Sequence, residues 1–302
     1  MPHFAVRTLT LNPSIDVSSE TKKVEPTRKV RTCNERIDPG GGGINVARVL
    51  QRLGMKVEAI FLAGGATGDA FDALLETAGF ERRLVAIADD TRTSLTIHER
   101  STGKEYRFVP EGPTIGPAEI QSCFDAIAAA TSDYFVASGS LPPGVPDDFY
   151  ATVGERVRAG GGRFILDTSG AELRAALADG GIHLLKASRE ELDASAAGEL
   201  VASRKAEQVA LTCGRDGALL VNADGAFSLP SLETEALSTV GAGDSFLAGM
   251  TYGLAAGRAP LEAFRIAVAA GAAATLSPGT DLAYSDNLWR LLEQVPEPQR
   301  IG

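Results

Sequence analysis

Ser238-Thr-Val-Gly-Ala-Gly-Asp-Ser-Phe246 places two glycines just ahead of a helical pattern with apolar Phe246, Met250 and Leu254. Glycines let a backbone turn tightly and approach a ligand without a Cβ clash. The first N–H groups of the helix then point outward, where the macrodipole favours an anion. Asp244 falls in the same first turn. Amides and dipole should keep a carboxylate there ionised. Ionised beside a phosphate, it can take a proton from a hydroxyl. An ordinary capped helix behind a plain turn fits the same residues.

A second glycine cluster lies near the other end of the chain. Asp38-Pro-Gly40-Gly-Gly-Gly43-Ile-Asn45-Val-Ala47 opens a helix with Ile44, Ala47, Leu50 and Leu53 on its apolar face, ending at Gly54. Consecutive glycines cost conformational entropy that a bare loop has no need to lose. They allow a small polar ligand to lie against the backbone, and Asn45 offers the donors and acceptor that suit sugar hydroxyls. A glycine hinge is the alternative. Asp16, in LTLNPSID, follows the first strand, and its carboxylate can accept two hydroxyl hydrogens; alone it also fits a turn after Pro13.

Outward from these clusters, β-rich runs alternate with helical patterns. Strands are expected at 6–11, 57–63, 134–138, 164–167, 183–186, 209–212 and 218–221. Helices are expected at 44–53, 69–78, 117–130, 147–159, 171–178, 241–256 and 261–276. This rhythm predicts an α/β domain with a mostly parallel sheet covered on both faces, and ligands outside the carboxyl ends of its strands. Two stretches break it. Ser18–Ile37 carries the charged run SSETKKVEPTRKVR, which suits a small β-layer or a solvated loop. Thr93–Val109 reads as two strands, SLTIHE and KEYRFV, around a turn at Ser101–Gly103. The end, PEPQRIG, reads as a polar tail without regular structure.

Composition narrows the function. With 29 Lys and Arg against 39 Asp and Glu among 302 residues, the net charge is −10, which argues against nucleic acid as a partner. Cys33, Cys123 and Cys213 form no C-x-x-C pair and are odd in number, so a disulfide framework or zinc site is not expected. The start lacks a signal-peptide pattern, and the apolar run Ile266–Leu276 is too short to span a bilayer; a cytoplasmic, membrane-free protein is expected. The P-loop, the dinucleotide fingerprint, the esterase elbow and the protein-kinase motifs are all missing from the sequence.

Gly40-Gly-Gly-Gly-Ile-Asn-Val-Ala47 and Thr239-Val-Gly-Ala-Gly-Asp-Ser245 together resemble the two signature regions of the PfkB-type, ribokinase-like sugar kinases. LTLNPSID, FLAGGATG, TRTSLTIHE, EYRFVPEGP, SGSLPPGV and LDTSG extend the similarity over nearly the whole chain, nearest to the bacterial type 2 6-phosphofructokinases. The resemblance implies a ribokinase-like three-layer fold in one domain, 1–302, with a β-sheet lid built from about 17–37 and 92–110. It implies ATP-dependent phosphorylation of fructose 6-phosphate at its C1 hydroxyl. Rival activities are those of 1-phosphofructokinases and tagatose-6-phosphate kinases. A rival of another class is a non-catalytic sugar-phosphate sensor.

By that resemblance Asp244 is the base, and Gly241, Ala242 and Gly243 form the anion hole. Asp16, Gly41, Gly42 and Asn45 hold the sugar, while Arg92 and Ser140 hold its phosphate. Thr212, Gly214 and Gly217 lie under the nucleotide, and Ala269–Thr275 wall the adenine. Leu185-Lys186-Ala-Ser188-Arg-Glu190-Glu191 aligns with the family's K-P-N-x-x-E, giving Lys186 and Ser188 to ATP and Glu191 to water-bound Mg²⁺. Ala187 for Pro and Ser188 for Asn depart from that pattern. Ser238 and Val240 would offer carbonyls to a monovalent cation such as K⁺. Lys29 would reach ligands from a lid that also clasps a homodimer.

Overall fold

The computed structural model describes residues 1–277, 279 and 281–301. In its first third the chain forms β1 (His3–Thr10), β2 (Ser14–Thr21), β3 (Cys33–Gly40), α1 (Gly42–Arg52), β4 (Val57–Ala63), α2 (Gly65–Leu75), β5 (Glu81–Ala86), β6 (Arg92–Glu99) and β7 (Lys104–Phe108). The middle forms α3 (Pro117–Ala128), β8 (Thr131–Ser138), α4 (Phe149–Ala159), β9 (Arg163–Asp167), α5 (Gly170–Asp179), β10 (Ile182–Ser188), α6 (Ala194–Ala202) and β11 (Ala206–Thr212). The last third forms β12 (Ala218–Asn222), β13 (Gly225–Leu229), α7 (Ala242–Ala255), α8 (Pro260–Thr275), α9 (Ser285–Leu292) and β14 (Gln299–Ile301).

Ten strands make one sheet in the order β14-β13-β12-β11-β10-β9-β8-β1-β4-β5. Neighbours from β5 to β11 are parallel, and β12, β13 and β14 extend the sheet antiparallel. Strand β4, VEAIFLA, is buried along its whole length, as a parallel strand covered on both faces must be. Successive side chains of a strand point to opposite faces. Val6 therefore joins a core beneath α1, α2, α7, α8 and α9, and Leu9 joins another beneath α3 to α6. The result is a three-layer α/β fold.

Helix α1 shows how burial sets the local structure. Gly42 and Gly43 cost it about 1 kcal/mol each relative to alanine. Ile44, Val46, Val49 and Leu50 are buried, and at roughly 1.5–3 kcal/mol per side chain their burial outweighs that cost. Gly54, at φ 81, ends the run.

The structure adds elements that the sequence pattern did not reveal. β5 and β13 are short edge-side strands with mixed polarity. In α6 the Asp193 carboxylate caps the Ala196 N–H at 2.8 Å, a start signal obscured by the small-residue run behind it. In α9, SDNLWRLL buries Leu288 and Leu291. The expected unstructured tail is corrected at Gln299–Ile301, which pairs antiparallel with β13; Gly302 lies outside the described residues.

The two stretches that break the α/β rhythm fold together. A separate four-stranded sheet has the order β3-β2-β6-β7, with β2 and β6 parallel and the other pairs antiparallel. The stretch 18–37 is both things expected of it, strand at its two ends and a loop over 22–32. Among the described residues no helix is long and apolar enough to cross a membrane.

Candidate active site

Strands β8, β9 and β10 run parallel and bring three polar side chains together near their carboxyl ends. Asp167 is the register partner of both Ser138 and Lys186. Ser138 Oγ donates to Asp167 Oδ2 at 3.2 Å, and Lys186 Nζ donates to Oδ1 at 3.0 Å. Burial would lower the Lys186 ammonium, but Asp167, Asp244 and Glu191 outweigh it and hold the group above its usual range. Asp167 and Ser138 were not singled out in the sequence. A polar residue closing a parallel strand was the available signal, the same one that marked Asp16.

Both glycine turns reach this edge. Gly241 caps α7 at φ 74, where a Cβ would lie 2.5 Å from Leu282 Cδ2, so glycine is required on both counts. The amides of Gly243 and Asp244 have no partner within the helix. That of Ala242 makes only a long turn contact with the Thr239 carbonyl, at 3.4 Å. Gly41 precedes α1 at φ 114. A Cβ at Gly40 would overlap the Asp16 carboxyl, one at Gly42 the Ser138 hydroxyl, and one at Gly43 the Leu9 carbonyl. The run is therefore packed, not a hinge.

The two turns meet where Asn45 Nδ2 donates to Asp244 Oδ2 at 2.8 Å. Burial, then the Asp167 charge, raise the Asp244 carboxyl to about 6 against the opposing pull of Asn45 and Lys186. Desolvation thus exceeds the favourable amides and dipole that led the sequence reading to an ionised carboxylate. At neutral pH the group still ionises and is matched to moving a proton there.

A cavity of about 410 Å³ opens over this edge. Gly41, Gly42, Asn45, Gly241 and Asp244 line its floor side, with Ser140 and Val240 beside them. The small sheet supplies the facing wall through Asp16, Arg92, Ser94, Thr96 and Arg107. These point one way because side chains alternate along β2, β6 and β7. Burial raises the Asp16 carboxyl, while Ser14 (2.5 Å), Arg92 and Arg107 counter it. Arg92 donates to the Pro110 and Asn12 carbonyls at 2.8 Å each, and its buried Nε has no partner among the described residues. Asn12 Nδ2 lies 3.4 Å from Ser140 Oγ. Arg107 is a second guanidinium that sequence reasoning left unassigned, although the alternation of KEYRFV places it beside Thr96.

Of the other predicted residues, Glu191 and Val240 line the cavity and the rest lie apart from it. Thr212 follows Ser188 along the carboxyl edge as its register partner, and Gly214 and Gly217 form the tight turn beyond it, where Cys213 N–H donates to Gly217 O at 2.8 Å. Lys29 stands exposed in the loop over 22–32, outside the cavity lining. In the expected adenine wall, Ala269, Ala270, Ala273 and Ala274 are buried, and Ala270 packs where Gly249 of α7 leaves room. Their small size thus serves helix packing, and Gly271, Ala272 and Thr275 are the partly exposed members. Glu191 lines the cavity, and its Oε2 accepts the Ser188 N–H at 2.7 Å. Ala187, in place of the family's proline, is buried in the core. Among the described residues no three His, Cys, Asp or Glu side chains converge as a metal cage. Val240 N–H meets Ser238 Oγ at 3.2 Å in the turn before Gly241.

Comparisons with known proteins agree with this fold. The model of the pfkB family carbohydrate kinases matches residues 10–287. The ATP-dependent 6-phosphofructokinase isozyme 2 of Mycobacterium tuberculosis is 42% identical over 98% of this chain and 91% of its own length. Phosphofructokinase-2 from Escherichia coli in complex with potassium superposes with a TM-score of 0.92 at 37% identity, covering 96% of this chain and 99% of that one. The same enzyme in complex with fructose-6-phosphate gives 0.89 at 36%, covering 97% and 99%.

Proposed function

The chain belongs to the pfkB family of carbohydrate kinases, and on that premise we propose that it phosphorylates fructose 6-phosphate at the C1 hydroxyl, using ATP. The observation that carries the proposal is the Asp244 carboxyl, bound by Asn45 at one oxygen and open to the cavity, beside helix amides without partners. The names of relatives at this identity support fructose 6-phosphate as the sugar.

Asp244 takes the proton of the attacking hydroxyl. The amides of Gly243 and Asp244, with Lys186 close by Gly243, face the charge that spreads over the transferring phosphoryl group. Asp16 and Asn45, between the Gly41 and Gly42 backbone and the small sheet, hold the sugar hydroxyls. Arg92 Nε, buried without an acceptor, together with Arg107 and Ser140, anchors the 6-phosphate and so fixes the distance of the reacting hydroxyl from Asp244. Thr212, Gly214 and Gly217 carry the nucleotide along the same edge, with Ser188 nearer the phosphates. The small sheet serves as a lid over the domain, and Lys29, in its exposed loop over 22–32, would reach ligands near the interface between two copies.

Mg²⁺ suits Glu191 without a cage of three protein ligands, because this ion keeps several waters and travels on substrate phosphates. When bound it would neutralise phosphate charge. A monovalent cation would take the carbonyls of Ser238 and Val240.

The outer face of the small sheet supports a homodimer. Ile37, Val17, Leu95 and Phe108 stand in one cross-strand row, and Ile37, Leu95 and Phe108 are 56%, 42% and 58% exposed. Such a row on a lid is a surface for a second copy. Phe108→Glu is expected to turn a dimer into a monomer in sedimentation velocity; a wild-type monomer at micromolar concentration would contradict the assignment.

A coupled assay on fructose 6-phosphate, fructose 1-phosphate, tagatose 6-phosphate and fructose tests the sugar. The first should give the highest kcat/KM, and a wide margin for either other phosphate would transfer the assignment to it. Arg92→Ala should lower kcat/KM for fructose 6-phosphate by roughly 10–100-fold, the worth of a hydrogen bond to charge, and leave fructose unaffected.

A further inference from the structure

The Asn45 amide has a donor at one end and an acceptor at the other, so its orientation decides whether it supports or opposes the Asp244 carboxylate. Nδ2 donates to Asp244 Oδ2 at 2.8 Å. Oδ1 faces Arg48 Nη1 at 3.5 Å, the long end of the hydrogen-bond range. A guanidinium carries donors and no acceptor. With the amide reversed, its NH₂ would face that fixed positive charge and its carbonyl would face the carboxylate, so both contacts would become repulsive. Arg48 is itself held in place. Its Nη1 donates to the Pro39 carbonyl at 3.0 Å, its Nη2 lies 3.8 Å from Asp38 Oδ1, and the side chain is only 11% exposed.

We propose that Arg48 is a positioning residue for phosphoryl transfer, fixing which end of the Asn45 amide meets the Asp244 carboxylate. Residues 45 and 48 are three apart on α1 and so share a face. Arg48 thus acts on the reaction through Asn45 and touches neither reactant. The inference rests on Asp244 being the base. It also links the small sheet to that base, because Pro39 and Asp38 belong to β3.

The groups around the pair bear on its pH behaviour. Asp244 is faced by Asn45 from α1, Asp167 from β9, Lys186 from β10 and Asp16 from β2. Arg48 is faced by Asp38 from β3, Arg52 from α1, and Asp281 and Tyr284 from the segment before α9. Lys186 and Asp167 stay in place when Arg48 changes, so a shift in the acidic limb of activity reports the amide.

The experiment is kcat against pH, with saturating ATP and fructose 6-phosphate. The proteins are wild type, Arg48→Met, Arg48→Lys, Asn45→Ala and Arg48→Met/Asn45→Ala, each checked by thermal melting. Arg48→Met should lower kcat at pH 7 by roughly 3–10-fold and move the acidic limb up by about one pH unit, as expected when a hydrogen bond to the charged form is lost. Arg48→Lys, which keeps a donor, should restore most of both. In the Asn45→Ala background Arg48→Met should change neither. An unmoved limb, or the same loss without Asn45, overturns the proposal. If Arg48→Met does not melt cooperatively, Arg48→Leu, which likewise carries no donor, runs the same cycle. Asp244→Asn separates the two readings. Retained turnover there defeats the base assignment, whereas lost turnover with additive Arg48 and Asn45 effects defeats only the role of Arg48.

Discussion

The two glycine turns look alike in sequence and are built for different ends. Both open a helix and both hold one residue at positive φ, Gly41 at 114 and Gly241 at 74. In the first, Gly40, Gly42 and Gly43 press against Asp16, Ser138 and Leu9, so the protein itself fills the space a side chain would need. In the second, a Cβ on Gly243 would meet only the end of Lys186, with Nζ 3.2 Å away. The first turn is glycine because the fold is crowded at all four positions. The second is crowded at Gly241, against Leu282, but open at Gly243, and it sets Asp244 on the cavity wall. A run of glycines is therefore not one signal but two, and only the surroundings separate them.

The comparison is sharpened most by Asp244→Asn. It should lower kcat by at least ~10²-fold, the usual scale for a general base, with ATP binding kept in calorimetry. Near-normal turnover would mean that the second turn is only a cap. The same variant has a signed effect on stability. Burial lifts the folded-state carboxyl from an ordinary 3.8 to about 6. Over roughly pH 4–6 the folded protein therefore holds a proton that the unfolded chain has released. Stability from this group is present at acid pH and is lost as pH rises through about 6. At pH 7 Asp244→Asn should thus raise the melting temperature while activity collapses.

Gly42→Ala and Gly243→Ala test the contrast directly. The first should destabilise by ~1–3 kcal/mol in denaturant titration, because the Ser138 hydroxyl has to move. The second should be neutral or stabilising by up to about 1 kcal/mol, since alanine is the better helix former. Its cost should fall on kcat, through crowding of Lys186. Equal losses of stability would erase the distinction. The smallest effect is that of pH on the wild type: kcat should fall below about pH 6 as Asp244 protonates, and a profile flat to pH 5 would contradict the raised carboxyl.

Much of the architecture was legible because it is written locally. Buried strands such as Val57–Ala63 show as apolar runs, and α1 and α7 announce themselves by glycine followed by helical periodicity. Helix α6 escaped notice because the small residues of ASAAGELVA carry little periodic contrast, leaving only the Asp193 cap. The tail strand Gln299–Ile301 escaped because three residues gain their pairing only from β13, distant in sequence. At the site, Asp244 and Asn45 were visible as residues, Arg92 only through the family resemblance, and Asp167 and Arg107 were not assigned.

The order of elements, the two helix-opening turns and the acidic residue in the first turn of α7 follow from the sequence alone, because chain geometry and periodicity act over a few neighbours. The tertiary structure decided the rest. It brought Asn45 within 2.8 Å of Asp244 across 199 positions, set Asp167 beside Lys186, and turned Arg92 and Arg107 toward one cavity. It also decided the proton affinity of Asp244, because desolvation and nearby charge belong to the assembled surroundings and to no stretch of chain.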